Sequence, residues 1–505
     1  MEKDRQEKKD KLIAHTTQFT VSGYVSSVIN FFVAIVVRRI LSPYLMGIYA
    51  QLALIFEYAK YCHLGAIDSL DRQIPVYRGG GDEKTAAEAA NVGISFSLLA
   101  SVVCACVIIV FGIIRRPAIE PALNHGLYVI SLLVITQIVC SFYVTLVRTR
   151  HLFGVLSRYV VLLAVSDLFL KFALGVKFGV VGILLGSVLS LFAGFAYLYR
   201  VTGIRFHIAF PVNIRVLKTL LAIGFPLLMA GFTFMVLKSI DRIMILSFLG
   251  KEPMGYYSIA IMMHSFAFQL PNLIYTVLFP RFYERFGRLK ENVKELRPLL
   301  EGPTLAFSFI FPVIIGIAVI LLPLFIRKVL PAYHEGIPAA NILLFGTVFL
   351  SITNMSGYLL IALKKQARIV FIGVFSIICN ILLNLYFIKI LKMGITGIAL
   401  GTGISFFLYS LVLISHALGL YLEKRPHRLK FIFKVYFPVF SIISLVIIIN
   451  EAVERIFKAE CGNTIDTTVR LIVFSFLSLP FLLYINKKHS IFRKIKDASS
   501  GIFRR

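Results

Sequence analysis

Residues 178–192 read Phe-Gly-Val-Val-Gly-Ile-Leu-Leu-Gly-Ser-Val-Leu-Ser-Leu-Phe, and residues 393–407 read Met-Gly-Ile-Thr-Gly-Ile-Ala-Leu-Gly-Thr-Gly-Ile-Ser-Phe-Phe. Three glycines and one serine share a register at an offset of 215 residues. Met46-Gly47-Ile48-Tyr49 and Met254-Gly255-Tyr256-Tyr257 match at an offset of 208. Each offset contains six apolar segments, so both copies would cross a membrane in the same direction. Generic glycine-mediated helix packing is the alternative. The ordered matches favour two six-helix lobes related by an axis along the membrane normal, an architecture typical of transporters.

The composition indicates a membrane protein. Hydrophobic residues make up 58% of the 505 residues and charged residues 15%, whereas soluble domains average about 45–50% and about 25%. Such a chain cannot be disordered, and as a soluble globule it would leave large apolar surfaces uncovered. Apolar runs of spanning length are expected to be helical, because lipid cannot satisfy backbone polar groups.

We count about fourteen such runs, whose approximate cores are 17–37, 45–66, 90–114, 121–146, 154–174, 178–199, 219–247, 255–279, 303–326, 337–362, 369–388, 394–420, 431–450 and 468–486. The predicted fold is therefore an all-α polytopic membrane protein with two pseudo-symmetric six-helix bundles plus two extra C-terminal helices. The first bundle is predicted over residues 1–200 and the second over 201–422. The two additional helices and a basic cytoplasmic tail follow over 423–505.

The positive charges are distributed as the positive-inside rule requires. With the N-terminus in the cytoplasm, the inner segments hold 34 Lys and Arg, the outer segments 12, and the spans seven. This nearly threefold bias predicts cytoplasmic N- and C-termini. We therefore interpret the net charge of +28 as a means of binding the anionic lipids of the cytoplasmic leaflet, and we expect no nucleic-acid partner.

Cysteines and glycines give no sign of a cofactor or metal site. Five of the six cysteines lie in apolar runs, and no Cys-x-x-Cys or Cys/His metal spacing occurs. The stretch Gly79-Gly80-Gly81-Asp82 lacks the Gly-Lys-Ser/Thr ending of a phosphate loop. We therefore expect no bound cofactor, and transport would use an ion gradient, with a proton or sodium as the coupling ion, or the substrate's own gradient.

Seven ionisable residues lie deep in the predicted spans, namely the acids Glu57, Asp167 and Asp241 and the bases Lys60, Lys171, Lys238 and Arg242. Each acid has a base three or four positions away, on the same helix face. One interpretation is three structural ion pairs. The other is a water-filled cationic cavity for an anionic ligand, since charges within a membrane are costly and usually functional. In this cavity Arg242 could bind phosphate in a bidentate way, and Asp167 is the candidate coupling group.

Several short motifs together resemble one family. Gly224-Phe225-Pro226 is followed by Asp241-Arg242-Ile243-Met244-Ile245 and by Met254-Gly255-Tyr256-Tyr257, while the first lobe has Arg39-Ile40-Leu41-Ser42-Pro43. This set resembles the polysaccharide-biosynthesis flippases of the multidrug/oligosaccharidyl-lipid/polysaccharide exporter superfamily. The resemblance implies a V-shaped pair of bundles with alternating access, an undecaprenyl-pyrophosphate-type lipid-linked oligosaccharide as substrate, and a bacterial inner membrane location. Polysaccharide-assembly proteins are then possible partners.

Three alternatives stay open from the sequence. A peptidoglycan-precursor flippase also has fourteen helices. A cation-coupled multidrug exporter of the same superfamily usually has twelve helices and fewer basic cavity groups. A glycan-processing membrane enzyme would need a catalytic site, and no long outer loop or acidic first outer turn provides one; we therefore expect that the protein is not an enzyme.

Overall fold

The structure is a computed structural model, which describes residues 2–205, 207–208, 212–288, 293–457 and 464–489. The described residues form α-helices and short 3₁₀ or π turns, with no strand among them. The fifteen α-helices are α1 (Glu2–Ile40), α2 (Pro43–Ala59), α3 (Ala66–Gly79), α4 (Glu83–Arg115), α5 (Pro121–Thr149), α6 (Phe153–Thr202), α7 (Ile214–Phe248), α8 (Lys251–Arg288), α9 (Arg297–Val329), α10 (Ile337–Ser351), α11 (Asn354–Ala362), α12 (Gln366–Leu385), α13 (Gly394–Leu418), α14 (Arg425–Phe457) and α15 (Thr464–His489).

Each predicted span lies in a helical segment of the structure, and two of the spans contain a break. Within the described part of the chain, eleven helical stretches are long and apolar enough to cross a membrane. One of them, α6, has 50 residues and contains two predicted spans. The helices α2, which has only 17 residues, and α8, which is more polar, cover two further predicted spans. The all-α polytopic fold predicted from the sequence is therefore confirmed, and the protein is a multi-pass membrane protein.

Two predicted spans are interrupted. The run 45–66 was expected to be one helix, but α2 ends at Ala59, a 3₁₀ turn covers Lys60–His63, and Leu64 and Gly65 have left-handed backbones. Likewise 337–362 is divided into α10 and α11 at Ile352 and Thr353. The length of an apolar run predicts that the segment crosses the membrane, but it carries no information about such breaks in the helix.

The first repeated glycine has a positive φ in both copies. Gly179 has a φ of 57° and Gly394 a φ of 58°, a left-handed conformation that costs a residue with a Cβ about 1–2 kcal/mol. Gly179 is the point at which α6 changes direction, and Gly394 begins α13. One turn further on, a Cβ on Gly182 would contact Phe178, and a Cβ on Gly397 would contact Met393. The shared sequence register therefore encodes the same helix entry twice.

The chain forms two compact units. Unit 1 comprises residues 1–242 and 250–255, and unit 2 comprises 243–249 and 256–505. The division falls within α7, so most of that helix belongs to unit 1 by its contacts. The lobe boundaries at 200/201 and 422/423, which rest on the sequence repeat, remain a prediction.

The core of unit 1 lies between α3, α4, α5 and α6. Leu70, Phe142, Tyr143 and Leu198 are at most 1% exposed there. The Tyr143 hydroxyl donates a hydrogen bond of 3.0 Å to the Ile204 carbonyl, so this aromatic ring is buried without leaving its polar atom unsatisfied.

In unit 2 the two C-terminal helices pack against α9, α10 and α13. Phe474 of α15 lies against Gly316 of α9, where a Cβ would overlap the ring. Tyr436 of α14 hydrogen-bonds to Ser410 at 2.6 Å and contacts the rings of Phe349 and Phe407. The helices α14 and α15 are therefore integral parts of unit 2.

Candidate functional site

The seven ionisable residues singled out from the sequence all belong to unit 1 and form two groups. The first, which we call the α2–α7 cluster, consists of Glu57, Lys60, Lys238, Asp241 and Arg242. The second is the pair Asp167–Lys171 in α6. Glu57 lies in α2 and Lys60 in the 3₁₀ turn that follows it, while α6 and α7 provide the other five residues.

Glu57 is paired with a base on another helix. Both terminal nitrogens of Arg242 donate to its carboxylate, at 3.1 Å (Nη1–Oε1) and 2.6 Å (Nη2–Oε2). The expected local partner of Glu57 was Lys60, one turn away. The bidentate geometry explains why Arg242 is the ion-pair partner, since the planar guanidinium matches both carboxylate oxygens.

The two lysines of the cluster lie over aromatic rings. The Lys60 ammonium is 5.4 Å from the centre of the Phe56 ring, and the Lys238 ammonium is 5.4 Å from the centre of the Phe234 ring. A cation over a ring face is stabilised by about 0.5–2 kcal/mol without being neutralised. Each ammonium group therefore has an aromatic ring one turn away as a stabilising neighbour.

Asp241 is 3% exposed, and its Oδ1 accepts a 2.7 Å hydrogen bond from the Arg242 backbone N–H. This acid and Glu57 together supply two negative charges to the cluster. Lys60, Lys238 and Arg242 supply three positive charges. The α2–α7 cluster therefore carries one net positive charge when all five groups are ionised.

Aromatic and hydroxyl contacts fix α2 against α7. The Tyr58 hydroxyl hydrogen-bonds to Ser239 at 2.9 Å. The Phe232 ring makes edge contacts with Tyr58 and Tyr61, with centroid separations of 5.9 and 5.2 Å. The Glu57–Arg242 pair therefore lies within a packed seam, where its geometry is held by neighbours.

Arg242 retains one unused donor. Its Nε is buried and has no hydrogen-bond partner among the residues that the structure describes. Glu57 occupies the two terminal nitrogens, so a phosphate could bind bidentately to Arg242 only by displacing Glu57. The Glu57 side chain is 32% exposed and that of Arg242 11%, which leaves the carboxylate accessible for such an exchange.

The second group lines a cavity of about 240 Å³ inside unit 1. The Lys171 ammonium forms an ion pair with Asp167 four positions earlier, which confirms the local pairing expected from the sequence. Gln137 and Ser187 add polar groups to the lining, and Phe56, the ring over which the Lys60 ammonium lies, also lines the cavity. The pair thus lies at a cavity with a mainly apolar lining, with exposures of 20% for Asp167 and 12% for Lys171.

A close approach joins the two copies of the Met-Gly motif within unit 1. A Cβ on Gly47 would lie 2.9 Å from the Lys251 Cα, and a Cβ on Gly255 would lie 2.8 Å from the Pro43 Cα. The contacts are reciprocal, because Lys251 and Gly255 follow Pro43 and Gly47 by 208 residues each. Only glycine permits this approach. The sequence repeat identified both glycines, although it did not predict that they pack together.

Next to these glycines, Glu120 accepts hydrogen bonds from Lys251 and from the Tyr44 hydroxyl, the latter at 2.5 Å. These two donors hold the pKa of the Glu120 carboxyl below its usual range. We call Tyr44, Glu120 and Lys251 the loop latch. Sequence analysis missed it, since its members are 76 and 131 residues apart and no pattern signals their contact.

Two histidines of the predicted spans, His63 and His264, make structural contacts. His63 Nδ1 accepts a 3.1 Å hydrogen bond from the Gly65 N–H. His264 is 6% exposed, bonds Thr347 at 2.7 Å and stacks on Phe268. In the described ranges no group of three or more His, Cys, Asp or Glu could hold a metal ion.

Solved structures with the same fold are membrane transporters. A multidrug resistance MATE family transporter of the MOP superfamily, in an inward-facing conformation, has a TM-score of 0.63 and 15% identity, covering 78% of this chain and 93% of that one. The lipid II flippase MurJ, in an inward closed conformation, has a TM-score of 0.62 and 16% identity, covering 93% and 99%. A MOP superfamily transporter from Pyrococcus furiosus has a TM-score of 0.56 and 14% identity, covering 84% and 96%.

These identities establish a shared fold. No curated protein sequence matches the chain significantly. The family model described as polysaccharide biosynthesis protein matches residues 12–286, which is more than half of the sequence. The resemblance found in the sequence motifs is thereby confirmed: the chain belongs to the polysaccharide biosynthesis protein family.

Proposed function

We propose that the protein transports a lipid-linked oligosaccharide, carried on an undecaprenyl-type pyrophosphate, across a bacterial inner membrane by alternating access. It would be a transporter without catalytic chemistry, and both termini would be cytoplasmic. The observation that carries this proposal is the α2–α7 cluster, in which a bidentate Glu57–Arg242 pair is flanked by two lysines that rest on aromatic rings.

The cluster suits a pyrophosphate because of its charge balance. A substrate with a pyrophosphate linkage is anionic, and its transfer through a low-dielectric region requires fixed positive charge. One net positive charge attracts the anion without trapping it, since release requires binding of moderate strength. A purely apolar cavity, as for a neutral lipid, would not explain three bases in this seam.

We infer an exchange at Arg242 as the recognition step. Substrate phosphate oxygens take the place of the Glu57 carboxylate on the two terminal nitrogens, and Glu57 is released toward Lys60, one turn away. The buried Nε of Arg242, which lacks a partner within the described residues, provides a third donor to the phosphate. When the substrate leaves, Glu57 returns and the pair is restored.

The pair Asp167–Lys171 is our candidate for ion coupling. A carboxylate between a lysine and a cavity can change its charge state as water enters and leaves the cavity during opening and closing. Gly186 packs against the Lys171 backbone, where a Cβ would lie 2.8 Å from the Lys171 nitrogen. Movement of the second half of α6 would therefore be transmitted directly to Lys171.

A peptidoglycan precursor is the second candidate substrate. The lipid II flippase structure aligns over 93% of this chain, against 78% for the multidrug transporter. Lipid II also carries its sugars on a pyrophosphate, so the α2–α7 cluster serves either substrate. A multidrug exporter is less favoured, because organic cations would be repelled by a cluster with net positive charge.

Deletion of the gene followed by lipid analysis tests the substrate class. We expect a lipid-linked glycan to accumulate, and a membrane-impermeant glycan-modifying enzyme should reach less of it in intact spheroplasts. The proposal is wrong if no lipid-linked glycan accumulates. Accumulated lipid II would identify the second candidate instead.

A further inference from the structure

The repeated glycines pack against a preceding helix in the same way in both units. In unit 1 the second half of α6 packs against the first half, and a Cβ on Gly186 would lie 2.8 Å from the backbone nitrogen of Lys171. In unit 2 α13 packs against α12, and a Cβ on Gly401 would lie 3.3 Å from the backbone nitrogen of Asn384. Asn384 is therefore the counterpart of Lys171.

A second contact fixes the register of this packing. A Cβ on Gly182 would overlap the Leu174 carbonyl, and a Cβ on Gly397 would lie 2.9 Å from the Phe387 Cβ. Leu174 and Phe387 each follow the counterpart residue by three positions, so the preceding helices correspond at an offset of 213 residues. The glycines correspond at 215, and the two extra residues of unit 2 lie in the connection that contains the π turn Tyr386–Ile390.

The same offsets identify the counterparts of two further polar residues. Asp167 corresponds to Asn380 at an offset of 213, and Ser187 corresponds to Thr402 at an offset of 215. The ion pair Asp167–Lys171 beside a serine in unit 1 thus has a neutral counterpart in unit 2, which consists of two amides beside a threonine.

Asn380, Asn384 and Thr402, which we call the amide triad, are closed off from solvent, since each is at most 1% exposed. Asn384 Nδ2 donates to Asn380 Oδ1 at 2.7 Å, and Asn380 Nδ2 donates to Thr402 Oγ1 at 3.3 Å. Asn384 Oδ1 lies where a Cβ on Gly401 would overlap it, so that the Cα–H group of this glycine faces the oxygen as a weak donor. The amide triad therefore joins α12 to α13 without any charge.

The charged counterpart differs in its access to water. Asp167 is 20% and Lys171 12% exposed, and both line the cavity of about 240 Å³ together with Ser187. Tyr49 of α2 is the further titratable residue of this lining. Burial without water is far more costly for ionised groups than for hydrogen-bonded amides. The charges therefore stand at the open site, and the amides stand at the closed one.

We infer that the fold needs only a hydrogen-bonded pair at these two positions, and that the charges of Asp167 and Lys171 serve ion coupling in unit 1 alone. The amide triad is then a static fastener, because amides do not titrate. Lys171 acts as a coupling residue together with Asp167, whose charge state it controls. The equivalence of the two pairs stands on the geometry, whereas the coupling role rests on the proposed function.

Exchanging the pairs tests both parts. Asp167→Asn/Lys171→Asn places the amides of unit 2 in unit 1, and we expect a melting temperature in detergent within about 2 °C of the wild type. Transport of undecaprenyl-pyrophosphate-linked oligosaccharide in proteoliposomes should become equal with and without an imposed proton or sodium gradient. A variant that fails to insert or melts much earlier shows that the fold requires the charges. A stable variant that still responds to the gradients shows that coupling does not use them. Either result overturns the inference.

Unit 2 provides the matched controls. The reverse exchange, Asn380→Asp/Asn384→Lys, should lower the melting temperature more than the exchange in unit 1, because an ion pair at the closed site loses its hydration. An equal or smaller loss contradicts the role given to water access. Asn380→Ala/Asn384→Ala should lower the melting temperature by at least about 2 °C and leave the response to the gradients unchanged. Loss of that response would show that coupling is not confined to unit 1.

Failure of the proposed function is recognised separately, because the wild type then does not transport the glycan at all. The melting temperatures still decide whether the two pairs are equivalent. Ion binding is then followed as the shift of the melting temperature with sodium concentration and with pH. We expect this shift to be larger for the wild type than for Asp167→Asn/Lys171→Asn, and identical shifts would overturn the ion-linked role of the charges.

Discussion

Replacing Glu57 and Arg242, singly and together, tests whether they form an energetic pair. Breaking a fully buried ion pair costs about 3–5 kcal/mol, and an exposed pair contributes about 0–1 kcal/mol. Arg242 is 11% exposed and Glu57 32%, so solvent screens the carboxylate in part. We therefore expect Glu57→Gln and Arg242→Gln to show a coupling energy of about 1–3 kcal/mol in a double-mutant cycle. The measurement is denaturant unfolding of the purified protein in one detergent.

The matched control is a second cycle with Lys60→Gln in place of Arg242→Gln. Lys60 follows Glu57 by three positions, in the turn after α2, yet its ammonium lies over Phe56. The coupling of Glu57 with Lys60 should be clearly smaller than its coupling with Arg242. Equal coupling in both cycles, or less than about 0.5 kcal/mol with Arg242, would refute the cross-helix pairing.

Four further predictions follow from other parts of the molecule. Asp167→Asn should reduce the dependence of transport on imposed proton or sodium gradients, and unchanged transport across those gradients removes Asp167 from the mechanism. Gly186→Leu should impair transport or folding more than the control Leu185→Ile, since a Cβ at Gly186 would lie 2.8 Å from the backbone nitrogen of Lys171. Equal effects of the two variants would contradict this packing. The pKa of Glu120 is lowered by Lys251 and Tyr44, so its stabilisation should be complete above the unfolded-state pKa of about 4.3 and be lost as the pH falls through the lower folded-state pKa. The stabilisation should amount to about 1 kcal/mol or less because the pair is exposed. The melting temperatures of wild type and Glu120→Gln should therefore differ by the same amount from pH 8 to 5 and converge below pH 5, whereas convergence already at pH 6 would contradict the assignment. Single cysteines at Asn292 and Asn463, which both lie outside the described residues, should react differently with an impermeant thiol reagent in intact cells, the second being labelled and the first not, and the reverse pattern would refute cytoplasmic termini.

The positions of the helices could be predicted from the sequence because lipid imposes a simple requirement. A long apolar run must satisfy its backbone internally, so each of the fourteen runs had to be helical. The glycine register was informative for a related reason. Gly179 and Gly394 both have a positive φ, and a backbone angle that disfavours side chains selects glycine at each position where it occurs.

Contacts between distant residues could not be predicted in the same way. The i, i+4 rule found Asp167–Lys171 correctly, since both residues lie on one helix, but it also assigned Glu57 to Lys60. The actual partner, Arg242, is 185 residues away. The helix break at Lys60–Gly65 was missed too, because an apolar run in a helix looks the same as one in a 3₁₀ turn.

The central claim is that Lys60, Lys238 and Arg242 recognise a pyrophosphate-linked glycan during transport. It is tested most directly by measuring how fast undecaprenyl-pyrophosphate-linked oligosaccharide reaches the opposite leaflet of proteoliposomes. Lys60→Gln/Lys238→Gln leaves the Glu57–Arg242 pair intact and should insert normally, and Arg242→Lys keeps the charge without the bidentate geometry. We predict that the double variant reduces the rate at least tenfold and that Arg242→Lys retains part of the activity. Wild-type rates in the double variant, and in a further variant with alanine at Lys60, Lys171, Lys238 and Arg242, would show that the charges are structural and would contradict this account.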